Sequence, residues 1–137
     1  YRNIMEDCIF CKIANNEILS YKVYENESAL AFLDIAPVSS GHTLVIPKKH
    51  YKNIEEIPEE EFCELTQVVK RVGKMIKEKL NVAGYNIGVN NDPIAGQIIP
   101  HLHFHIIPRA KGDGLELWSQ GKYKEGEAEE IVKKIKL

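Results

Sequence analysis

The chain has 137 residues, 44% apolar and 28% charged, proportions that exclude wholesale disorder and fit a single domain. Eighteen Lys+Arg against 20 Asp+Glu give a net charge of −2, which argues against a protein held mainly by nucleic-acid phosphates. No apolar run approaches the ~20 residues needed to cross a bilayer, so no membrane partner is expected.

Cys8-Ile9-Phe10-Cys11 opens the patterned part of the chain. Three Cys, an odd number, suggest no disulfide framework, and the N-terminus lacks an apolar signal-peptide core. The expected location is therefore the cytoplasm. Residues 21–24 and 28–33 read as two short strands with Asn26 in the turn between them. A loop, Pro37-Val38-Ser39-Ser40-Gly41, precedes Thr43-Leu44-Val45-Ile46. That segment is apolar on both faces and reads as a central strand stopping at Pro47. Phe62, Leu65, Val69, Val72, Ile76 and Leu80 recur at steps of three and four, which predicts a helix over 59–80 with one apolar stripe. Glu59, Glu60 and Glu61 suit its positive end, and Lys74, Lys77 and Lys79 its negative end. Cys63 lies on the flank of the stripe and is expected to be structural. Residues 84–90 and 102–107 give two more strands, and Ala128, Ile131, Val132 and Ile135 a short terminal helix. Five strands without regular βαβ alternation predict an α+β domain with a largely antiparallel sheet. Its core spans about 8–113 and its tail about 114–137.

All five His fall in two windows, 42–50 and 101–105. His101-Leu102-His103-Phe104-His105-Ile106-Ile107 alternates polar with apolar, so on a strand the three imidazoles share one face, ~6.6 Å apart. Leu102, Phe104 and Ile106 then point into a core. Such a row can be a zinc site, with His101, His103 and His105 as ligands of a zinc hydrolase. It can equally serve nucleophilic catalysis, one imidazole attacking phosphorus while its neighbours hold oxygens and manage protons.

The triad resembles the signature of the histidine triad (HIT) family of nucleotidyl hydrolases and transferases. The resemblance covers most of the chain: it includes Ala31-Phe32-Leu33-Asp34-Ile35, the block from Gly41 through Pro47-Lys48-Lys49-His50, and Ala95-Gly96-Gln97 before the triad. It implies that His103 is a nucleophile forming a covalent nucleotidyl-imidazole with no metal at that step, and that His42 and His105 contact the phosphate. It places Asp34 on the ribose hydroxyls and Phe32, Ile35 and Ile18 around a purine base. Asn90, Gly96 and Gln97 then lie near the phosphates. Apart from the resemblance, Asp34 reads as a turn-initiating residue, Phe32, Ile35 and Ile18 as ordinary core, and Gly96 as a loop glycine. Relatives commonly carry Ser or Thr where this chain has Ile98, so one donor to the leaving group is missing.

Cys-x-x-Cys alone is a weak signal. Microbial members of the family with a similar pair carry zinc, which implies a structural Cys₂His₂ site at Cys8, Cys11, His50 and His101. Lys48 and Lys49 read as solvated loop lysines rather than a phosphate patch. The resemblance also implies a homodimer joined edge to edge, with Trp118 able to reach the partner's site. A phosphoramidase-like activity, releasing AMP or GMP, is favoured by the Val45–His50 block. A dinucleoside polyphosphate hydrolase is the runner-up, on Asp92-Pro93-Ile94-Ala95-Gly96-Gln97 and Ile107-Pro108-Arg109. A non-catalytic nucleotide-binding scaffold is the alternative of another class.

Overall fold

A computed structural model describes residues 7–137. In chain order the elements are α1 (Ile9–Ala14), β1 (Lys22–Glu25), β2 (Ala29–Leu33), β3 (Thr43–Pro47), α2 (Glu59–Lys79), β4 (Gly84–Val89), a 3₁₀ turn (Pro93–Ala95), β5 (Phe104–Arg109) and α3 (Glu127–Ile135). In this α+β domain the strands form one sheet in the order β1-β2-β3-β5-β4, and every neighbouring pair is antiparallel. Among the described residues, no helix is long and apolar enough to cross a membrane.

Alternation along the strands builds a core on each face of the sheet. Ala29, Ala31, Val45, Phe104 and Ile106 face one way and pack with Leu65, Val68, Val69, Val72 and Ile76 of α2. Leu30, Phe32, Leu44 and Ile46 face the other way and are covered by Cys8, Phe10, Cys11, Ile13 and Ala14 at α1. The first turn of β1–β2 is set as the sequence suggests. Asn26 Oδ1 accepts from the backbone N–H groups of Ser28 and Ala29 at 2.9 and 2.8 Å.

Several expectations change. Helix α1 has no counterpart in the sequence reading, because six residues that are apolar everywhere but at Lys12 carry no distinguishable period. The triad strand begins at Phe104 rather than Leu102. Pro100 and the turn before it divert the backbone, so His101 N–H bonds Ile99 O and Leu102 N–H bonds Tyr51 O instead of β3. Leu80 does not extend the buried stripe; it caps α2 and is half exposed. Cys63 is an exposed free thiol, not a packed one. Lys48 and Lys49 pair with Glu25 and Glu61, each at 2.8 Å, as surface loop residues do.

Helix α2 approaches β4 closely at Gly73, where an added Cβ would stand 2.8 Å from Cε2 of Tyr85. Gly73→Ala gains about 1 kcal/mol of helix propensity but overpacks this contact, at a cost of about 1–3 kcal/mol. The expected net result is a lower urea midpoint. A midpoint equal to or above that of the parent protein would contradict this packing.

Candidate functional site

Backbone carbonyls assign the protons on the triad. Nε2 of His101 lies 2.9 Å from Pro47 O, so it donates there, leaving the lone pair on Nδ1. His103 shows the reverse arrangement. Its Nδ1 donates to His101 O at 2.7 Å, leaving the lone pair on Nε2. A second chain of bonds starts from Val38, whose backbone N–H donates to His42 Nδ1 at 3.1 Å. His42 therefore carries its proton on Nε2 and donates to His105 Nδ1 at 2.9 Å. The proton of His105 is then on Nε2, which is buried without a hydrogen-bond partner. The result is a bare nitrogen on His103 beside an unspent N–H on His105, their rings 4.9 Å apart.

Burial lowers the pKa of His103 and of His42, in each case opposed by the carboxylate of Asp34. His105 is pulled down to about 4, by burial first and then by the neighbouring His103 and His42. The rings are therefore neutral at physiological pH. Because the folded pKa of His105 lies below the unfolded value near 6.5, the unfolded chain takes up the proton first. Stability is thus complete above about pH 6.5 and is lost as pH falls toward 4, by up to about 3 kcal/mol from His105. Chemical denaturation between pH 7 and 4.5 checks this, a window above most carboxylate titrations. A flat stability there would contradict the assignment.

The other residues singled out by the sequence fall in different places. Asp34 Oδ1 accepts from Ala36 N–H at 2.9 Å, the turn-initiating role, while Oδ2 stands 3.8 Å from His42 Nε2. Phe32 is buried beneath Phe10, with ring centroids 5.6 Å apart. Ile35 and Ile18 are exposed and do not join the core. Gly96 sits at φ +95, where a side chain is strained, and a Cβ added there would stand 3.5 Å from Asn90 Nδ2. Gln97 does not reach the imidazoles. Its Nε2 donates to Lys52 O and Ile99 O and its Oε1 accepts from Asp92 N–H, so it staples its own loop.

A cleft of about 720 Å³ opens beside the triad, bounded by β4, Asn90, Arg109 and the tail at Leu115–Trp118. His42 and His105 line it; His103 does not. In the sheet His105 pairs with Gly88, where no side chain stands over it. Trp118 is exposed at the rim. Two contributors escaped the sequence reading. Phe10 sets its ring edge-on to His103 at 5.1 Å and to His101 at 5.9 Å, and its position inside Cys-x-x-Cys was the only available signal. Val38, which orients His42 through its backbone, left none.

Two groups of side chains have metal-ligand character among the described residues. In the first, Cys8 Sγ, Cys11 Sγ, His50 Nδ1 and His101 Nδ1 converge, with S···N and N···N separations of 3.2–3.5 Å. A tetrahedral ion with Zn–N and Zn–S bonds of about 2.0–2.3 Å requires edges of about 3.3–3.7 Å, which this set matches. The lone pair of His101 points inward because its other nitrogen donates to Pro47 O, as a metal-binding His commonly donates its far N–H to a backbone carbonyl. Burial and the neighbouring Cys8 push the Cys11 thiol up to about 12, so a thiolate here needs a cation beside it. This group can hold a metal ion. The second group, Asp34, His42 and His105, does not fit one. A metal on His42 Nε2 would force a proton onto Nδ1, which faces the N–H of Val38. Nor do His101, His103 and His105 converge on one point, since their nitrogens turn to three different partners.

Known proteins resemble this chain in sequence and fold. The pattern of the HIT domain matches residues 15–112. The chain is 51% identical over 129 residues to an uncharacterised HIT-like protein of Methanocaldococcus jannaschii, covering 94% of this chain and 98% of that one. It is 46% identical over 102 residues to an adenosine 5′-monophosphoramidase of Schizosaccharomyces pombe, covering 74% of each. Among solved structures, a HIT family member from Bacillus subtilis superimposes with a TM-score of 0.87 at 42% identity, covering 94% of both chains. A Zn-bound histidine triad family protein from Mycobacterium smegmatis gives 0.78 at 34% identity, covering 86% of both. With its fold, its triad and these relatives in agreement, the chain belongs to the HIT family.

Proposed function

We propose that this protein is a nucleotidyl hydrolase. It cleaves a nucleoside monophosphate, AMP or GMP, from a phosphoramidate or phosphoanhydride through a covalent intermediate on His103. The observation that carries the reading is the proton arrangement: a lone pair on His103 Nε2 beside the unspent Nε2–H of His105. Nε2 of His103 attacks the α-phosphorus, the P–N bond of the enzyme forms, and the bond to the leaving group breaks as that group takes up a proton. Water then attacks the same phosphorus, the P–N bond to His103 Nε2 breaks, the monophosphate leaves, and the water's surplus proton replaces, through solvent, the one taken by the leaving group. Two displacements replace one difficult step, and His105 donates to the phosphoryl oxygens as charge grows on them. His42 holds His105 in the donating tautomer. The free lone pairs of Asp34 suit ribose hydroxyls, and Phe32, Ile35 and Ile18 suit the base. Asn90 and Gly96 flank the phosphates, while Gln97 shapes their loop.

A structural zinc at Cys8, Cys11, His50 and His101 is part of the proposal, supported by the donor geometry above and by the Zn-bound relative. It would pin α1 to the sheet, with no contact to the reacting phosphorus. The chain is further proposed to form a homodimer through β4. That strand is an open sheet edge bordered by exposed Ile87, Leu117 and Trp118. The free thiols fit a reducing compartment, the cytoplasm.

Purified protein offered an adenosine 5′-phosphoramidate and, separately, a diadenosine polyphosphate tests the substrate class. The expected result is faster turnover of the phosphoramidate. Preference for the polyphosphate would select the other branch, and turnover of neither would leave a binding protein.

A further inference from the structure

His101 belongs to two sites at once. Its Nδ1 stands in the cysteine–histidine group, 3.4 Å from Cys8 Sγ, 3.5 Å from Cys11 Sγ and 3.2 Å from His50 Nδ1. Its Nε2–H is fixed on Pro47 O, and its own backbone carbonyl receives the Nδ1–H of His103 at 2.7 Å. A second link runs through α1. Phe10, between the two cysteines, lays its ring against both His101 and His103. The group that can hold a metal is therefore joined to the imidazole at position 103 by one residue's backbone and by one turn of helix.

We propose that the metal-binding group acts as a positioning device for His103, with His101 as the positioning residue. This rests on reading His103 as the nucleophile. The four donors already converge, with S···N and N···N separations of 3.2–3.5 Å, so an ion held by them would restrain the His101 ring, its carbonyl and the ring of Phe10. Those in turn hold His103 with its proton on Nδ1 and its lone pair on Nε2. Without an ion, only weak thiol hydrogen bonds join the same four groups. The His101 ring is then held by its bond to Pro47 O alone, its carbonyl is directed less firmly, and His103 samples the other tautomer as well. The core between the sheet and α2 contains none of the four metal-binding residues and so does not depend on the ion, whereas the core on the other face of the sheet includes Cys8 and Cys11.

The test uses full-length protein with ¹⁵N-labelled histidine, zinc-loaded and chelated, at a pH above the ordinary imidazole range. In the zinc form the ring nitrogens of His103 are expected to report a protonated Nδ1 and a bare Nε2. On chelation the amide spectrum of the strands and α2 persists, while the two His103 nitrogens average between tautomers. Turnover of the phosphoramidate shows the same coupling: kcat falls at least about tenfold with KM changed less than about threefold, as expected for misplacement of a reacting group. Added zinc restores both. His101→Cys separates anchoring from metal retention, since three thiolates and His50 still suit zinc but nothing replaces the bond to Pro47 O. It is expected to keep zinc and to show the same tautomer averaging. An unchanged His103 tautomer in the chelated protein would overturn the proposal. So would global unfolding on chelation, which would place the ion's effect on the whole chain rather than on His101. The tautomer is read without turnover, so this failure is distinct from failure of the nucleophile reading, which shows as activity retained in His103→Ala.

Discussion

His103→Ala is expected to lower phosphoramidate turnover by at least about 10,000-fold, the scale for removal of the proposed nucleophile when only binding and electrostatic terms remain. The size follows from the arrangement of nitrogens. Nε2 of His103 is the one triad nitrogen whose lone pair is free of both the metal-binding group and the hydrogen-bond chain from Val38 to His105. His105 cannot take over, because its Nδ1 is held by His42 and its Nε2 carries the proton. His103 is buried and packs against Phe10, so His103→Asn serves as a second variant that fills more of the space. Both should stay folded and both should be inactive in steady-state assays. Activity within about tenfold of the parent in a folded variant would move the nucleophile elsewhere.

The second large effect concerns stability. Cys11→Ser is expected to abolish stoichiometric zinc binding and to lower stability by about 4 kcal/mol, the linkage contribution of an ion present at a thousand times its Kd. In a domain of this size that corresponds to a fall in melting temperature of more than about 10 °C. The loss should concentrate at α1. A helix of six residues is too short to persist alone, and Phe10, Ile13 and Ala14 cover one face of the sheet without contributing to the core under α2. Metal analysis and thermal melting of parent and variant check this together. Parent protein that folds normally with well under one zinc per chain would remove the basis of the prediction.

The long helix and the triad segment were legible from a side-chain period, and the central strand from a short run apolar on both faces and buried throughout. Leu65, Val69, Val72 and Ile76 face the sheet at helical spacing, and Leu102, Phe104 and Ile106 reach the same core although the strand itself begins only at Phe104. The cysteine and histidine members of the metal-binding group were named from type and family spacing, and they converge. What the sequence hid depends on backbone groups or on tertiary contact. Val38 contributes an N–H that any residue but proline could supply. Gln97 has the chemistry to meet a phosphate, yet three backbone groups of the surrounding loops claim its amide. Phe10 sits on a helix with too few residues to show a period. The proton positions on the imidazoles, on which the chemistry turns, follow from carbonyls at Pro47 and His101 whose direction no pattern of side chains reveals.

The most direct measurement is rapid acid-free quenching of the protein during turnover of an adenosine 5′-phosphoramidate, followed by intact mass and peptide mapping. A gain of one adenylyl group per chain, located on the ring of His103 and absent from His103→Asn, is the predicted result. No adduct at any time during turnover, or an adduct on another residue, would contradict the account.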